Sequence, residues 1–413
     1  MNRFLLSLSL AATLSAPVLA EGGQRSLTAE EAVQIALTGN PELMRERSEV
    51  DVAKARLTGA LLLFQGNPSV TATAGPRQSP AGSSRDESLQ VLQPIEISGQ
   101  KGARIEAARA SLDAAEARLA ALRAEVAAEI REAFGRALAA EQRARLAAEA
   151  LGIAQAGVAA AQERFDVGAA ALLEVNAARV ELGRSARDRG VAERRSAESK
   201  ADLHLLLGLD PAEVFALKGE LRADAVATLA EPRLIEEALA NRAEIAANQR
   251  ALDAANAEAR LAEREAVPTP RFGVSYTREQ ESDTRIFQGL VSIDLPLFNR
   301  NQAARGIAAA RITQLETERD ATSRRVRQDV STALARLQAA RAAAGFYADD
   351  VVKAMLENME LGTESYRAGK IDFLQLLFIR RQALEARREH IDVLEELNAA
   401  LNQLDRAVGK VSP

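Results

Sequence analysis

Cysteine is absent from the 413-residue chain. No disulfide, no thiolate metal site and no acceptor for N-terminal lipidation is therefore available. Tryptophan is absent too, and with only 3 Tyr and 11 Phe a thick aromatic core is excluded. The formal charge is -5 and no basic stretch is interleaved with aromatics, which argues against nucleic acid as a partner. Beyond residue 20 there is no run of 18 apolar residues, so no spanning helix is expected. If the chain enters a membrane, it does so as strands.

Proline is missing from two stretches of equal length, 95–210 and 297–412, 116 residues each. Alanine makes up about a fifth of the chain, and together with Leu, Arg and Glu it favours long helices packed closely side by side. Met1 to Ala20 reads as a secretory signal: Arg3 gives the positive start, Phe4 to Leu14 the apolar segment and Val18-Leu19-Ala20 the small-residue cleavage site.

The rest of the chain is a tandem duplication. Phe165 to Asn176, FDVGAAALLEVN, returns 201 residues later as Tyr366 to Leu377, YRAGKIDFLQLL. In both copies an aromatic (Phe165, Tyr366) precedes a glycine (Gly168, Gly369) by three residues, and a leucine-rich helical pattern follows. Such a glycine supplies the left-handed residue that ends one helix and lets the next start antiparallel to it. Each copy is expected to have a hairpin tip there, at 168 and at 369.

The first repeat is expected over 21–210 and the second over 232–413, with a linker at 211–231 that has room for a short helix. Thr28 and Glu31 form a capping-box pattern, and Asn40-Pro41 interrupts the helical region that follows. Pro68 and Pro270, 202 apart, open stretches whose period changes from helical to two, the strand signature. Strands are expected at about 68–76 and 88–96, and again at about 271–279 and 285–297. In the last, Phe287, Gly289, Val291, Ile293 and Leu295 fall on one face and Gln288, Ser292 and Asp294 on the other, as a membrane barrel strand needs. Polar loops are expected at Pro76 to Asp86 and Arg278 to Asp283. Pro94 and Pro296 close the strands. Helical hairpins follow over about 101–208 and 302–408, each with one limb of roughly 60 residues and a return of roughly 35; the longer would span about 90 Å. A heptad fits Val330, Leu337 and Ala344 on one seam with Leu334 on the other.

Four strands cannot close a membrane barrel, because about eight is the smallest workable number and eight leaves no lumen. The chain must oligomerise. A dimer gives eight strands and a filled interior, a trimer twelve and an open pore, which suits the polar face better.

Over essentially the whole mature chain the sequence resembles the TolC-type outer-membrane factors of tripartite efflux systems. The residues that carry the resemblance are the duplication, the strand end Leu295-Pro296-Leu297-Phe298, and the tips leading into Leu172-Leu173-Glu174-Val175 and Phe373-Leu374-Gln375-Leu376. Gln93-Pro94-Ile95-Glu96 with Gly99-Gln100-Lys101, and Asn299-Arg300-Asn301-Gln302, are most similar to the heavy-metal branch, the CzcC-like and CusC-like proteins. The resemblance implies a mostly α fold with a small membrane β-barrel portion, built from a duplicated helix-strand-strand-helical hairpin unit. It implies a homotrimer with a 12-stranded β-barrel and a periplasmic α-barrel, located in the outer membrane. Its implied partners are a periplasmic membrane-fusion adaptor and an inner-membrane, proton-driven pump of RND type. Glu174 lies where relatives place a carboxylate that narrows the periplasmic entrance; Gln375 is its counterpart, with Asp372 three residues after the second glycine. These three are the candidate gate residues.

Other chemistry finds little support. Gly362 to Ile371, GTESYRAGKI, has six residues between its glycines where a phosphate loop needs four. His204 and His390 stand alone on helical patterns, Met355 and Met359 have the spacing of a core filler, and Arg380-Arg381 and Arg387-Arg388 read as solvated helix faces. No nucleophile, base and orienting group recur together, so no enzyme, cofactor or resident metal is expected. The leading expectation is a passive export duct for heavy-metal cations. A duct for drugs or secreted polypeptides has the same fold, and a periplasmic coiled-coil scaffold or adaptor is the alternative of another class, disfavoured by the two strand pairs.

Overall fold

The computed structural model describes residues 25–80, 82–210, 213–221, 230–346 and 349–410; the secretory signal expected at 1–20 lies outside them. The chain opens with β1 (Arg25–Leu27) and α1 (Ala29–Gly39). The capping box is formed: the Thr28 N–H donates to Glu31 Oε2 at 2.9 Å and the Glu31 N–H to Thr28 Oγ1 at 3.2 Å. α2 (Pro41–Ala60) follows, with Pro41 at a position where no amide donor is missed. Asn40, 6% exposed, caps it through Oδ1 and ties it to the end of a distant helix through Nδ2 and the Leu206 carbonyl, 3.1 Å away.

Next come β2 (Ser69–Ser79), β3 (Gly82–Pro94), α3 (Gln100–Asp166, 67 residues) and α4 (Leu172–Leu207, 36 residues). After β4 (Phe215–Leu217) the pattern repeats as α5 (Glu231–Asn241), α6 (Ala243–Glu265), β5 (Arg271–Glu279) and β6 (Thr284–Ser292). The second long arm is described as α7 (Gln302–Phe346) and α8 (Asp349–Arg367), and α9 (Phe373–Val408) returns.

Three expectations need correction. The polar stretch Pro76 to Asp86 is not a loop: β2 and β3 stay paired out to Ser79 and Gly82, with Pro76 opposite Arg85. β2 has one unpaired edge among the described residues, where a residue without an N–H costs no ladder bond. The fourth strand stops at Ser292, because its partner β5 begins at the facing Arg271. The linker region holds β4, which pairs in parallel with β1; three residues on each side are too few for any period to show.

The main sheet has the order β2-β3-β5-β6, antiparallel throughout. One face carries Val70, Leu89, Val91, Phe272, Val274, Tyr276, Phe287 and Val291, with Gln93 near its end; the other is mainly polar, with Thr71, Thr73, Ser88, Gln90, Ser275, Thr277 and Gln288 beside Leu92, Ile286 and Leu290. Phe287 is 78% exposed and Val291 70% exposed, so the apolar face has no cover from the described residues of its own chain. The core lies elsewhere, along the helices. α3 packs against α1, α2, α4, α6 and α9, and α7 packs against α5, α6 and α9, mainly through alanine, valine and leucine. Small side chains let the helices approach closely, as at Gly135, where an added Cβ would meet Asn398 Nδ2 at 2.3 Å.

Candidate functional site

Both hairpin tips are turns on a left-handed glycine, Gly168 at φ 74° and Gly369 at φ 70°. The closing bonds are the same: Gly168 N–H to the Phe165 carbonyl at 2.9 Å and Ala169 N–H to Arg164 at 2.8 Å, matched by Gly369 N–H to Tyr366 at 3.0 Å and Lys370 N–H to Ser365 at 2.9 Å. No neighbouring atom lies within 4 Å of a Cβ added at either glycine. Backbone conformation alone therefore calls for glycine here.

Beneath the tips lies a separate small core of Ala161, Val175, Ala178, Tyr366, Phe373 and Leu376. The Tyr366 and Phe373 rings meet edge to face with centroids 5.9 Å apart. Their sequence counterparts behave differently: Phe165 is 38% exposed and Leu172 54% exposed.

The candidate gate residues also divide. Glu174 and Gln375 occupy the third position of their helices. Ala171, at the start of α4, offers no side-chain cap, and the Glu174 carboxylate crosses to the other hairpin, where Oε2 accepts from the Tyr366 hydroxyl at 3.2 Å. The Arg164 guanidinium lies over the Tyr366 ring, 4.5 Å from its centroid. Asp372 instead caps α9. Its Oδ1 accepts from the Gln375 N–H at 2.8 Å, and the Gln375 side chain accepts from the Asp372 N–H at 3.1 Å. Burial pushes the Tyr366 hydroxyl pKa up, against a lowering by Arg164, so the phenol stays a donor. Arg380, also part-buried near the tips, has its pKa drawn down by burial.

Sequence reasoning missed the role of the charge runs on α9. Arg381 pairs with Glu181 of α4, and Arg387 Nη1 with Glu149 Oε1 of α3 at 2.8 Å. Arg143 of α3 reaches back to Asp392 and Glu395. These are interhelical ties, where solvated faces were expected. His204 stacks on Phe215 with centroids 4.5 Å apart.

At the other end of the long helices, Pro94 and Pro296 lead into two matching elbows. Gly99 and Asn301 are both left-handed, at φ 78° and 57°. The glutamine that follows each accepts from the backbone two residues earlier, Gln100 from Ser98 N–H at 2.8 Å and Gln302 from Arg300 N–H at 2.7 Å. Gln100 is 3% exposed and its amide also reaches the Val267 carbonyl. The short motifs around these residues thus turn a strand into a helix.

The repeat is also what the family comparison finds: residues 32–209 and 234–410 each match the model of the outer membrane efflux protein family. The chain belongs to the outer membrane efflux protein family. Among its relatives, the cobalt-zinc-cadmium resistance protein CzcC of Cupriavidus metallidurans is 26% identical over 407 residues, 98% of this chain and 96% of the relative. A membrane protein of Pseudomonas aeruginosa superposes with a TM-score of 0.74 at 22% identity, over 92% of this chain and 90% of that one. CusC, whose structures concern folding and transmembrane channel formation, gives 0.73 at 18% identity over 95% of both chains. These structures share the mostly helical fold. The family and its structural neighbours are outer-membrane channels, not enzymes, and among the described residues no helix is long and apolar enough to cross a membrane.

Proposed function

We propose that the chain is the passive outer-membrane exit duct of a tripartite efflux system, assembled as a homotrimer, with heavy-metal cations as cargo. The observation that carries this reading is the sheet β2-β3-β5-β6, apolar on one face and mainly polar on the other, with its two outer edges unpaired among the described residues. In hydrocarbon each unsatisfied backbone group costs several kcal/mol, so a single copy is untenable there and edge-to-edge closure with further copies removes the cost. Three copies supply twelve strands around an aqueous lumen. Four long helical limbs per chain then supply a twelve-helix periplasmic tunnel, which a membrane-fusion adaptor joins to an inner-membrane RND-type pump that provides the energy.

The relative's cobalt-zinc-cadmium resistance supports cations as cargo. At the periplasmic entrance, threefold repetition turns Glu174 into a ring of carboxylates, which favours cation passage, and Asp372 adds charge while it holds its helix. The Tyr366–Glu174 bond joins the two hairpins of one chain, and opening the entrance requires breaking it.

Native mass spectrometry in detergent is expected to give a trimer; a monomer there overturns the assembly. In planar-bilayer recordings, replacing Glu174 and Asp372 by Ala is expected to lower cation preference and raise the closed-state current. Unchanged selectivity and current would remove both residues from the gate. Loss of the gene is expected to sensitise cells to cobalt, zinc and cadmium, and unchanged tolerance would overturn the cargo.

A further inference from the structure

At the hairpin end of the main sheet the apolar face changes chemistry within one residue step per strand. Beyond Phe287 on β6 lies Arg285, beyond Tyr276 on β5 lies Arg278, and beyond Leu89 on β3 lie Glu87 and then Arg85, all on the same face. Arg278 and Arg285 are directly opposite each other in the ladder, an arrangement of like charges that destabilises a strand pair unless an anion lies between them.

The protein's own acids meet two of these three arginines, Glu87 beside Arg85 and directly opposite Arg278 in the ladder, and Asp283 beside Arg278, and among the described residues leave Arg285 without one. Glu87 approaches Arg85 at 3.5 Å and Asp283 approaches Arg278 at 3.5 Å, both longer than a charge-assisted hydrogen bond of about 2.7–2.9 Å. The exposed Arg285 side chain has no ion pair or hydrogen bond among the described residues.

The position of the group points to what it meets. On β6 the apolar face runs from Phe287 through Gly289 to Val291, about 14 Å at ~3.4 Å per residue, and the exposed Ile293 and Leu295 follow beyond the end of the strand. Arg285 is the next residue outward on that face, where the apolar surface gives way to charge, and insertion of the sheet would bring it to the lipid head groups. An arginine there lays its stem along the apolar surface and presents a planar fork that matches phosphate oxygens in pairs.

We infer that Arg85, Arg278 and Arg285 form a cationic collar that binds the phosphates of lipid head groups in the leaflet at the hairpin end of the sheet. This rests on the insertion of the sheet proposed above. Three copies repeat the group around the barrel, so the collar fixes the depth and tilt of the channel as well as holding lipid.

The test uses the full-length protein carrying R85Q, R278Q and R285Q together, with a triple Lys variant that keeps the charge. Native mass spectra of protein extracted from outer membranes are expected to show phosphate-bearing lipid retained by the wild type, retained in part by the Lys variant, and reduced roughly tenfold or more in the Gln variant. In phosphatidylcholine vesicles, added lipid A is expected to raise the wild-type unfolding temperature, whereas dephosphorylated lipid A or inorganic phosphate is not. Equal lipid retention by the wild type and the Gln variant overturns the inference, as does an equal rise with inorganic phosphate, which would make the group a free-anion site. A wild type that does not fractionate with the outer membrane overturns the insertion beneath it, a failure distinguishable from the other two.

Discussion

At the first hairpin tip the helix after Gly168 starts from Ala171 with no side-chain cap, and Glu174 is left to bond Tyr366 on the other hairpin at 3.2 Å. At the second, the helix after Gly369 starts from Asp372, whose carboxylate is occupied by the Gln375 N–H at 2.8 Å. The backbone turns are the same, because a left-handed glycine and two helices are all they require. The side chains were therefore free to diverge, and they did so in a complementary way. One copy stabilises its own helix and supplies the aromatic pair Tyr366 and Phe373 to the tip core; the other leaves its helix start uncapped and supplies the acceptor that joins the copies.

The largest test of this asymmetry compares Phe373, 3% exposed, with its counterpart Leu172, 54% exposed. Phe373→Ala is expected to cost about 3–5 kcal/mol through loss of buried area and a cavity, and Leu172→Ala within about 0.5 kcal/mol. Hydrogen exchange at the first turns of α9 and α4 reads both, and equal costs would abolish the distinction between the tips.

Next in size is the cap. Asp372→Ala should cost about 1 kcal/mol, seen as faster exchange of the Gln375 amide, with little change at α4. Ala171→Ser sharpens the comparison from the other side. It creates the pattern Ser-x-x-Glu, so Glu174 can turn inward to complete a capping box. The expected gain is up to about 1 kcal/mol for α4, accompanied by a higher closed-state current as Tyr366 loses its partner.

Tyr366→Phe removes the cross-hairpin bond alone and should cost about 1 kcal/mol with the tip core intact. Because burial raises the Tyr366 pKa, its contribution is fully present below the unfolded tyrosine value near 10 and is lost as pH rises through the folded value. Closed-state current is expected to climb at that alkaline edge in the wild type and to stay flat in the Phe variant. The smallest effect is at Glu149, whose pKa is lowered chiefly by its hydrogen bond from Arg387. That contribution is present above the unfolded value of about 4.5 and lost as pH falls through the lower folded value. Being an exposed pair, it should be worth only a few tenths of a kcal/mol, measured as the difference between wild type and Glu149→Gln in urea melts at neutral and acid pH.

Much of this was legible in the chain itself. The 202-residue offset of Pro68 and Pro270, the glycines of the tips, the alternation of Phe287 to Val291 and the Thr28 capping box all act through the backbone or through neighbours a few residues away, so sequence spacing records them directly. The same locality explains the length of α3 and α4, since proline is absent and alanine abundant throughout.

Only the tertiary structure decided the contacts between elements distant in sequence. Composition and period gave no means of telling that Tyr366 is buried and Phe165 half-exposed, since both stand at the same place in the repeat. The pairing of β1 with β4, and of Arg387 and Arg381 with Glu149 and Glu181, joins residues roughly two hundred positions apart. The opposition of Arg278 to Arg285 depends on the ladder register. Local pattern fixes which elements form, because helix and strand periods are properties of a few adjacent residues. Which side chain each element presents to which neighbour depends on how the two copies pack, and there the repeats, alike in sequence pattern, are no longer equivalent.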